Sequence, residues 1–342
     1  MSRTAFGAEF TGAEGFLNSP TYGLPPQFMF EALQECMRSW QNGSMEVPSF
    51  DESVTAARAG YAALAGVPVD TVTMAGTVSS ALGLVAAAVP DGSRVATLRN
   101  EFTSTSFPFA AQAARGVTVT ELNSDELVTT ARDYDVVTAS LVQSASGAVL
   151  DIDALRANVA GTGTMTVIDA TQALGWKNTD LSWADVTVAA VYKWLLAPRG
   201  TAWMSLSERV SGPMIPHAAN WYAGDRPWSS IYGLPLRLAE DARRFDVSPT
   251  WFSVLGSGLT LPWIASLDRA AVEAHTVGLA SRLRTEMQLP PQPSAIVSIP
   301  STPTDRLENA GIRASIRAGA VRVGFHLYNT EDDLDRLLDA LR

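Results

Sequence analysis

Short runs rich in β-branched and other apolar residues recur through the middle of the chain, and helical stretches separate most of them. The runs begin at Val72, Val95, Val117, Val136, Met165, Val186 and Trp203. Strands that alternate with helices form a largely parallel sheet with helices on both faces. The pattern therefore predicts an α/β protein whose large domain contains a seven-stranded, mostly parallel sheet.

The C-terminal part of the chain has a different pattern. Short runs at 296–299, 312–316 and 321–325 alternate apolar and polar residues, which is typical of small strands. A chain of 342 residues is also long for a single core. The units that we expect are an N-terminal segment at 1–45, a large domain at 46–255 and a smaller α+β domain at 256–342.

Two longer segments outside the strand series have helical spacing. Residues 27–40 carry apolar side chains at roughly helical intervals, namely Phe28, Phe30, Leu33 and Met37. Residues 259–283 predict one long helix that leads into the small domain. Cys36, the single cysteine of the chain, falls within the first of these helices.

The cysteine count and the charge limit the partners of the chain. One thiol can form neither an intramolecular disulfide nor a multi-cysteine metal site, so we expect no metal. A net charge of −10 argues against nucleic acid and anionic membranes, because both require a basic surface. The chain has no apolar run of about 18 residues, the length that a membrane span requires. Its N-terminus lacks an export signal, so we expect a cytoplasmic protein.

Two polar residues stand where successive apolar runs end. Asp169 closes the run that begins at Met165, and Lys193 follows the run that begins at Val186. Adjacent parallel strands would present this acid and this amine at the same edge of the sheet. The pair suits pyridoxal 5′-phosphate, with the lysine in a Schiff base and the carboxylate at the protonated ring nitrogen. The alternative is that Asp169 caps a helix and Lys193 is a solvated strand end.

The segments around these two residues resemble a known family. Val-Ile-Asp169-Ala-Thr-Gln-Ala-Leu-Gly, followed by Tyr-Lys193-Trp-Leu-Leu-Ala-Pro-Arg-Gly, is similar to the core of the class V aminotransferases. These are fold type I pyridoxal-phosphate enzymes, and they include cysteine desulfurases, kynureninases, isopenicillin N epimerases and the carbon–sulfur lyases of ergothioneine synthesis. The resemblance implies a fold type I transferase architecture, pyridoxal phosphate as cofactor, an amino acid as substrate, and a homodimer.

The resemblance places further residues around the cofactor. Ala170 would lie against the ring, Gln172 near the ring hydroxyl or the Schiff base, and Phe102 where many relatives stack a histidine. The turn at Gly76, Thr77 and Val78 would hold the phosphate. A glycine that permits close backbone approach, followed by the positive end of a helix, suits this anion independently of the family.

Several positions depart from the family or leave two choices open. Before the lysine, the family has Ser-x-His, whereas this chain has Ala190 and Tyr192, and only the tyrosine can donate a hydrogen bond. Gln143 and Ser144 are alternatives for a polar residue beside the cofactor. Ser248 and Thr250 are alternatives for the hydroxyl that reaches the phosphate of the neighbouring subunit. Arg199 is interpreted as structural.

Arg322 is the candidate for the substrate α-carboxylate. Its context, Val-Arg-Val-Gly-Phe-His-Leu-Tyr, resembles the C-terminal motif of the family, and a guanidinium meets a carboxylate bidentately. The alternative is an exposed strand arginine in a salt bridge. Residues on the substrate side of the N-terminal loop would be Asn18, Thr21 and Tyr22. His326 is either structural or catalytic, and the Trp- and Tyr-rich segment 212–233 is expected at a subunit interface or at the mouth of the site.

The sequence favours Cα deprotonation followed by β-elimination, as in a carbon–sulfur lyase. A cysteine desulfurase needs a persulfide-forming cysteine on a loop of the small domain, and Cys36 lies in a predicted N-terminal helix. Transamination is the alternative reaction, followed by epimerisation and kynureninase-type cleavage. A catalytically silent protein that kept the fold is the alternative from another class.

Overall fold

The computed structural model describes residues 2–300 and 304–342. In chain order, the strands are β1 (Ser2–Ala5), β2 (Ala8–Thr11), β3 (Val72–Ala75), β4 (Arg94–Leu98), β5 (Thr118–Leu122), β6 (Val136–Ser140), β7 (Met165–Asp169), β8 (Val186–Ala190), β9 (Ala202–Leu206), β10 (Ile296–Pro300), β11 (Ser315–Arg317) and β12 (Ala320–Gly324). The α-helices are α1 (Gln27–Asn42), α2 (Phe50–Ala65), α3 (Val78–Ala88), α4 (Thr103–Ala110), α5 (Ser124–Thr130), α6 (Ile152–Val159), α7 (Glu208–Ser211), α8 (Trp251–Ser266), α9 (Arg269–Glu286), α10 (Thr304–Asn309) and α11 (Glu331–Leu341).

The large sheet has seven strands in the order β3-β9-β8-β7-β6-β4-β5. The pairs among β5, β4, β6, β7 and β8 are parallel, whereas β9 is antiparallel to both of its neighbours, β8 and β3. All seven predicted strands are present, and the prediction of a mostly parallel seven-stranded sheet is confirmed. The central strands are buried throughout, as strands covered by helices on both faces must be.

Alternate residues of these strands face two different apolar clusters. Ile168 and Ala189 belong to the larger cluster, whereas their neighbours Val167 and Val188 belong to the second one. Side chains alternate across a sheet, so the two clusters cover opposite faces. The sheet is therefore packed on both sides, and the ends of its strands are the parts left free for ligands.

The second sheet is antiparallel and has the order β10-β12-β11. The predicted strand at 312–316 begins only at Ser315, because Arg313 pairs with Phe16 of the N-terminal segment instead. A second bridge joins Asn18 to Gly324. The N-terminal loop is thus held against the small sheet. The division into units at 45/46 and 255/256 stays a prediction.

The prediction of one long helix over 259–283 is wrong. The helix α8 ends at Ser266, and α9 begins at Arg269. Between them Leu267 is extended, and the carboxylate of Asp268 accepts a hydrogen bond from the Ala271 amide at 3.0 Å. Asp268 is therefore an N-cap, a signal that the sequence contained. Within the described ranges 2–300 and 304–342, no helix combines the length and the apolar character that a membrane crossing requires.

A buried ion pair fixes the edge of the large sheet. Arg58 of α2 meets Asp246 at 2.5 Å, and Asp246 also accepts hydrogen bonds from Thr73 Oγ1 at 3.0 Å and from the Met74 amide at 2.8 Å. One carboxylate therefore joins α2, β3 and the segment before α8. This contact positions the turn that follows β3, where the phosphate site is predicted.

Candidate active site

A cavity lies at the edge of the large sheet where β7 and β8 end. These two strands are parallel neighbours, with Asp169 opposite Val188, and Lys193 lies three residues beyond the end of β8. The predicted residues that line the cavity are Gly76, Thr77, Val78, Phe102, Ser144, Asp169, Gln172, Tyr192 and Lys193. Further lining residues that the sequence analysis did not select are Ser79, Ser104, Ser140, Thr171, Arg199, Gly200 and Thr201.

Asp169 is a buried carboxylate in the lining of the cavity. Its carboxylate accepts a hydrogen bond from the Thr105 hydroxyl at 3.0 Å and another from the Thr171 amide at 2.8 Å. The side chain is buried and makes no ion pair among the described residues. A buried carboxylate with lone pairs to spare can accept a hydrogen bond from a cationic ring nitrogen.

Lys193 is a buried amine, with 6% of the residue exposed. Burial lowers the pKa of its ammonium group to about 8, and the carboxylate of Asp169 opposes this shift. The positive charges of Arg322, Arg317 and Arg199 also lower this pKa. A buried amine whose pKa is this low is available as a nucleophile and as a base near neutral pH.

Two aromatic rings flank the amine. The Lys193 Nζ atom lies 5.3 Å from the centre of the Phe102 ring and 5.7 Å from that of the Tyr192 ring. Phe102 is 46% exposed, although it lines the cavity. An exposed aromatic face beside a reactive amine is suited to stacking on a flat cofactor ring.

The turn before α3, which lines the cavity, is suited to an anion. The hydroxyl of Thr77 caps α3 by accepting a hydrogen bond from the Ser80 amide at 3.1 Å. The amides of Val78 and Ser79 lie in the first turn of the helix, where amides have no intrahelical partner. Such amides, together with the positive end of the helix, attract phosphate.

Arg199 also brings a positive charge to the cavity, and its interpretation as structural stays a prediction. Its guanidinium lies 5.2 Å from the centre of the Tyr192 ring and lines the cavity. Within the described residues it makes no hydrogen bond or ion pair, so no contact assigns it a structural role. The Pro-Arg-Gly context gave no signal of this, because the direction of a loop side chain depends on the tertiary structure.

Gln172 connects three parts of the site. Its amide nitrogen donates to the Pro20 carbonyl at 2.9 Å and to the Ser144 hydroxyl at 3.1 Å. Its carbonyl oxygen accepts a hydrogen bond from the Trp194 indole at 2.8 Å. The N-terminal loop, the loop after β6 and the lysine loop are therefore held together by one side chain.

Arg322 is almost fully buried, with 1% of the residue exposed. Its Nη1 donates to the carbonyl and hydroxyl of Ser144 at 2.6 and 2.9 Å, and its Nη2 donates to Thr21 Oγ1 at 2.8 Å and Ser315 Oγ at 3.2 Å. Its buried Nε has no partner, and all its partners are neutral. Burial lowers the pKa of Arg322 to about 10. A buried cation without a counter-charge is suited to bind a carboxylate.

Of the predicted cofactor neighbours, Ser144 lines the cavity, whereas Gln143 and Ala170 do not. Gln143 donates to the Arg99 carbonyl at 3.0 Å and faces a separate cleft. Ala170 is completely buried in the larger apolar cluster, and the next residue, Thr171, lines the cavity instead. Consecutive residues point in different directions, so a shift of one position exchanges the roles.

Ser248 and Thr250, the alternatives for the hydroxyl that reaches the phosphate of a neighbouring subunit, do not line this cavity. Ser248 is exposed. The Thr250 hydroxyl is also exposed, and it lies 2.8 Å from the hydroxyl of Thr201, which does line the cavity, and donates to the Gly200 carbonyl at 3.0 Å. Contact with a neighbouring subunit stays a prediction for both.

The remaining candidates lie around the substrate side. Thr21 reaches the site through Arg322, whereas Asn18 and Tyr22 line a neighbouring groove. His326 does not line the cavity, and its ring stacks between Trp194 and Tyr328. Burial lowers the pKa of His326 to about 3, so it is neutral and structural.

The cavity fits pyridoxal phosphate on its own geometry. Its lining combines a buried carboxylate, an anion-binding turn, an arginine, an amine and an aromatic ring. Within the described residues, Lys193 Nζ has no hydrogen-bond partner, which leaves it free for a covalent bond to an aldehyde.

Comparisons with known proteins agree with this fit. The model of the aminotransferase class V family matches residues 24–309. The isopenicillin N epimerase of Amycolatopsis lactamdurans is 28% identical over 235 residues, which are 59% of this chain and 58% of that enzyme. The uncharacterized aminotransferase YcbU of Bacillus subtilis (strain 168) is 22% identical over 85% of this chain and 83% of its own length.

Solved structures show the same fold. The apo cysteine desulfurase from Thermococcus onnurineus NA1 has a TM-score of 0.81 and 18% identity, with 95% of this chain and 93% of that chain covered. The cystine C-S lyase C-DES, in complex with its reaction product cysteine persulfide, has a TM-score of 0.83 and 17% identity, with 96% and 97% covered.

The family model matches most of the chain, and the structural likeness extends over nearly all of it. The chain therefore belongs to the class V aminotransferases, a family of fold type I enzymes whose cofactor is pyridoxal phosphate.

Proposed function

We propose that this protein removes the Cα proton of an amino acid and then eliminates a leaving group from Cβ. The observation that carries the proposal is one cavity in which a buried carboxylate, a buried amine and an anion-binding turn stand together. When bound, pyridoxal phosphate supplies an electron sink for the pair of electrons left at Cα. In this proposal, Lys193 holds the cofactor aldehyde, Asp169 holds the ring nitrogen, and α3 with Arg199 holds the phosphate.

Lys193 is the proposed base. With a pKa lowered to about 8, a useful fraction of the free amine is neutral near pH 7, and it can take the Cα proton once the substrate has displaced it. Arg322 orients the substrate by binding its α-carboxylate, which exchanges neutral hydrogen-bond partners for a charged one. The substrate is thereby fixed with respect to the amine.

Two features favour elimination. Cys36 lies on α1 and does not line the cavity, so no described thiol is placed to accept sulfur from the substrate. Phe102 occupies the position of the histidine in many relatives, and it cannot exchange a proton. Elimination requires one proton transfer at Cα, after which the Cβ bond breaks and the leaving group departs with its electron pair. The released aminoacrylate hydrolyses to pyruvate and ammonia.

Transamination is the second candidate, and the match to YcbU over 85% of the chain favours it. Epimerisation, the activity named for the relative in Amycolatopsis lactamdurans, requires protons on both faces of Cα. The phenylalanine at position 102 removes one group that could have supplied the second proton.

We also propose that the active unit is a homodimer. The segment 226–237 exposes Tyr232 and Leu234 almost completely, at 87% and 90%. Helix α1 exposes Met37 and Trp40 at 54% and 58%. Large apolar side chains that are exposed close together in one segment favour an interaction surface. A second copy of the chain is the partner that a closed dimer supplies.

The cytoplasmic location stays a prediction of the sequence.

The reaction type can be tested with S-methylcysteine as the substrate. We expect pyruvate and ammonia in equal amounts without an added keto acid, since elimination needs no amino acceptor. Lys193→Ala should lower kcat about 100-fold or more, because a positioned base contributes that much, whereas Lys177→Ala should retain activity. Turnover that requires a keto acid would assign transamination, and loss of optical activity without pyruvate would assign epimerisation.

Arg199 can be tested by cofactor binding. Arg199→Gln should weaken the binding of pyridoxal phosphate to the apoprotein about 10- to 100-fold, the value of a charge-assisted hydrogen bond. The binding of pyridoxal, which lacks the phosphate, should not change. Both affinities are measured by titration of the apoprotein with absorbance as the readout, and Arg132→Gln serves as an exposed control. Equal losses for both ligands would contradict the assignment of Arg199 to the phosphate.

The dimer can be tested by light scattering on the eluting protein. We expect the mass of two chains for the wild type, and Trp40→Glu should shift the equilibrium towards the monomer because it places a charge in the interface. Val69→Glu adds the same charge at another exposed apolar residue and should leave the dimer intact. A monomeric wild type at micromolar concentration would rule out the dimer.

A further inference from the structure

A second depression adjoins the active site, between the N-terminal loop and β11. This depression, called the side groove here, has a volume of about 650 Å³. Residues that line it include Asn18, Tyr22, Arg313, Ile316 and Arg317. Its floor includes Val321, the residue directly before Arg322 on β12. Successive side chains of a strand point to opposite faces, so the link between the side groove and Arg322 is made by Thr21, which lies between the groove residues Asn18 and Tyr22 in sequence and accepts a hydrogen bond from Arg322.

Two guanidinium groups meet at this junction. Arg322 Nη2 donates to Thr21 Oγ1 at 2.8 Å, and Arg317 Nη2 lies 3.5 Å from the same oxygen. One neutral hydroxyl thus stands between two cations. The proximity is also visible in the electrostatics, because Arg317 contributes to lowering the pKa of Arg322.

No acid compensates these charges. Arg313, Arg317 and Arg322 form no ion pair in the described part of the chain, whereas Arg282 on α9 pairs with both Glu331 and Asp335. Glu308 lines the side groove, but it is not within ion-pair distance of any of the three. In a chain whose net charge is −10, the meeting of the buried Arg322 and the exposed Arg317 at one hydroxyl, without an acid partner, favours a site for anions.

The arginines near the amine exceed the anions assigned so far. Arg199 lines the cavity and is assigned to the phosphate, and Arg322 is matched to the α-carboxylate. Arg317 is the third cation that lowers the pKa of Lys193. Neither the cofactor phosphate nor the substrate α-carboxylate is assigned to it.

We propose that the side groove binds the side chain of the substrate, and that Arg317 binds a carboxylate at the end of that side chain. The inference rests on the proposed function, since it describes the substrate of the same site. The ring of Tyr22 and the aliphatic side chain of Ile316 give the groove an apolar wall against which a short methylene or thioether chain can pack. The substrate class is therefore an amino acid with a second, distal carboxylate, such as a cysteine S-conjugate that ends in an acid.

The test uses the holoenzyme and a pair of unreactive, nearly isosteric ligands, 2-methylglutamate and 2-methylglutamine. Neither has a Cα hydrogen, so binding can be followed by the absorbance of the cofactor whichever reaction the enzyme catalyses. We expect the acid to bind at least tenfold more tightly than the amide. Arg317→Gln should abolish this preference by weakening only the acid, and Arg132→Gln should retain it. Arg322→Gln should weaken both ligands.

Two outcomes would overturn the inference. Equal binding of acid and amide by the wild type would show that no distal carboxylate is recognised. An equal loss of both ligands in Arg317→Gln would show that the residue has only a general role in the loop.

A kinetic comparison separates this inference from the proposed reaction. S-Carboxymethylcysteine and S-carbamoylmethylcysteine differ only in the distal acid, and kcat/KM for the acid should be at least tenfold higher. A preference for the acid without pyruvate would support the side groove and contradict elimination. Pyruvate formed equally well from both would support elimination and contradict the side groove.

Discussion

The parallel pairing of β7 with β8 is the constraint on which the site depends. It sets Asp169 opposite Val188, so that the carboxylate and the lysine loop leave the sheet at the same edge. Both side chains are buried, and a charged group removed from water is stabilised by whatever completes its interactions. The low pKa of Lys193 follows from this placement.

The site is surrounded by positive charges, whereas the chain as a whole is negatively charged. The chain has a net charge of −10, but Arg199, Arg317 and Arg322 approach the cavity without carboxylate partners in the described structure. These cations destabilise the protonated form of Lys193 and attract anions at the same time. One arrangement therefore serves both the reactivity of the amine and the binding of an anionic cofactor and substrate.

The seven strands of the large sheet could be predicted from the sequence, because parallel strands that are buried on both faces consist of continuous apolar runs. The same runs located Asp169 and Lys193, since each residue ends a run. Side-chain directions in loops were harder to predict: the sequence left Gln143 and Ser144 as alternatives, of which Ser144 lines the cavity, and it selected Ala170, whereas the next residue, Thr171, lines the cavity. Arg199 could not be assigned from its own context, because its direction is set by contacts that are distant in sequence. The break between α8 and α9 at Leu267 was missed, because the apolar spacing on both sides is helical. Asp268, a typical N-cap residue, was the indication that a new helix begins there.

The most direct measurement is the location of the covalent bond between protein and cofactor. The chain has two lysines, Lys177 and Lys193, so reduction of the holoprotein with borohydride and mass spectrometry of its peptides gives an unambiguous answer. We expect the adduct on Lys193, and we expect Lys193→Ala to lose both the adduct and the visible absorbance while Lys177→Ala keeps them. An adduct on Lys177, or an unchanged spectrum in Lys193→Ala, would contradict it.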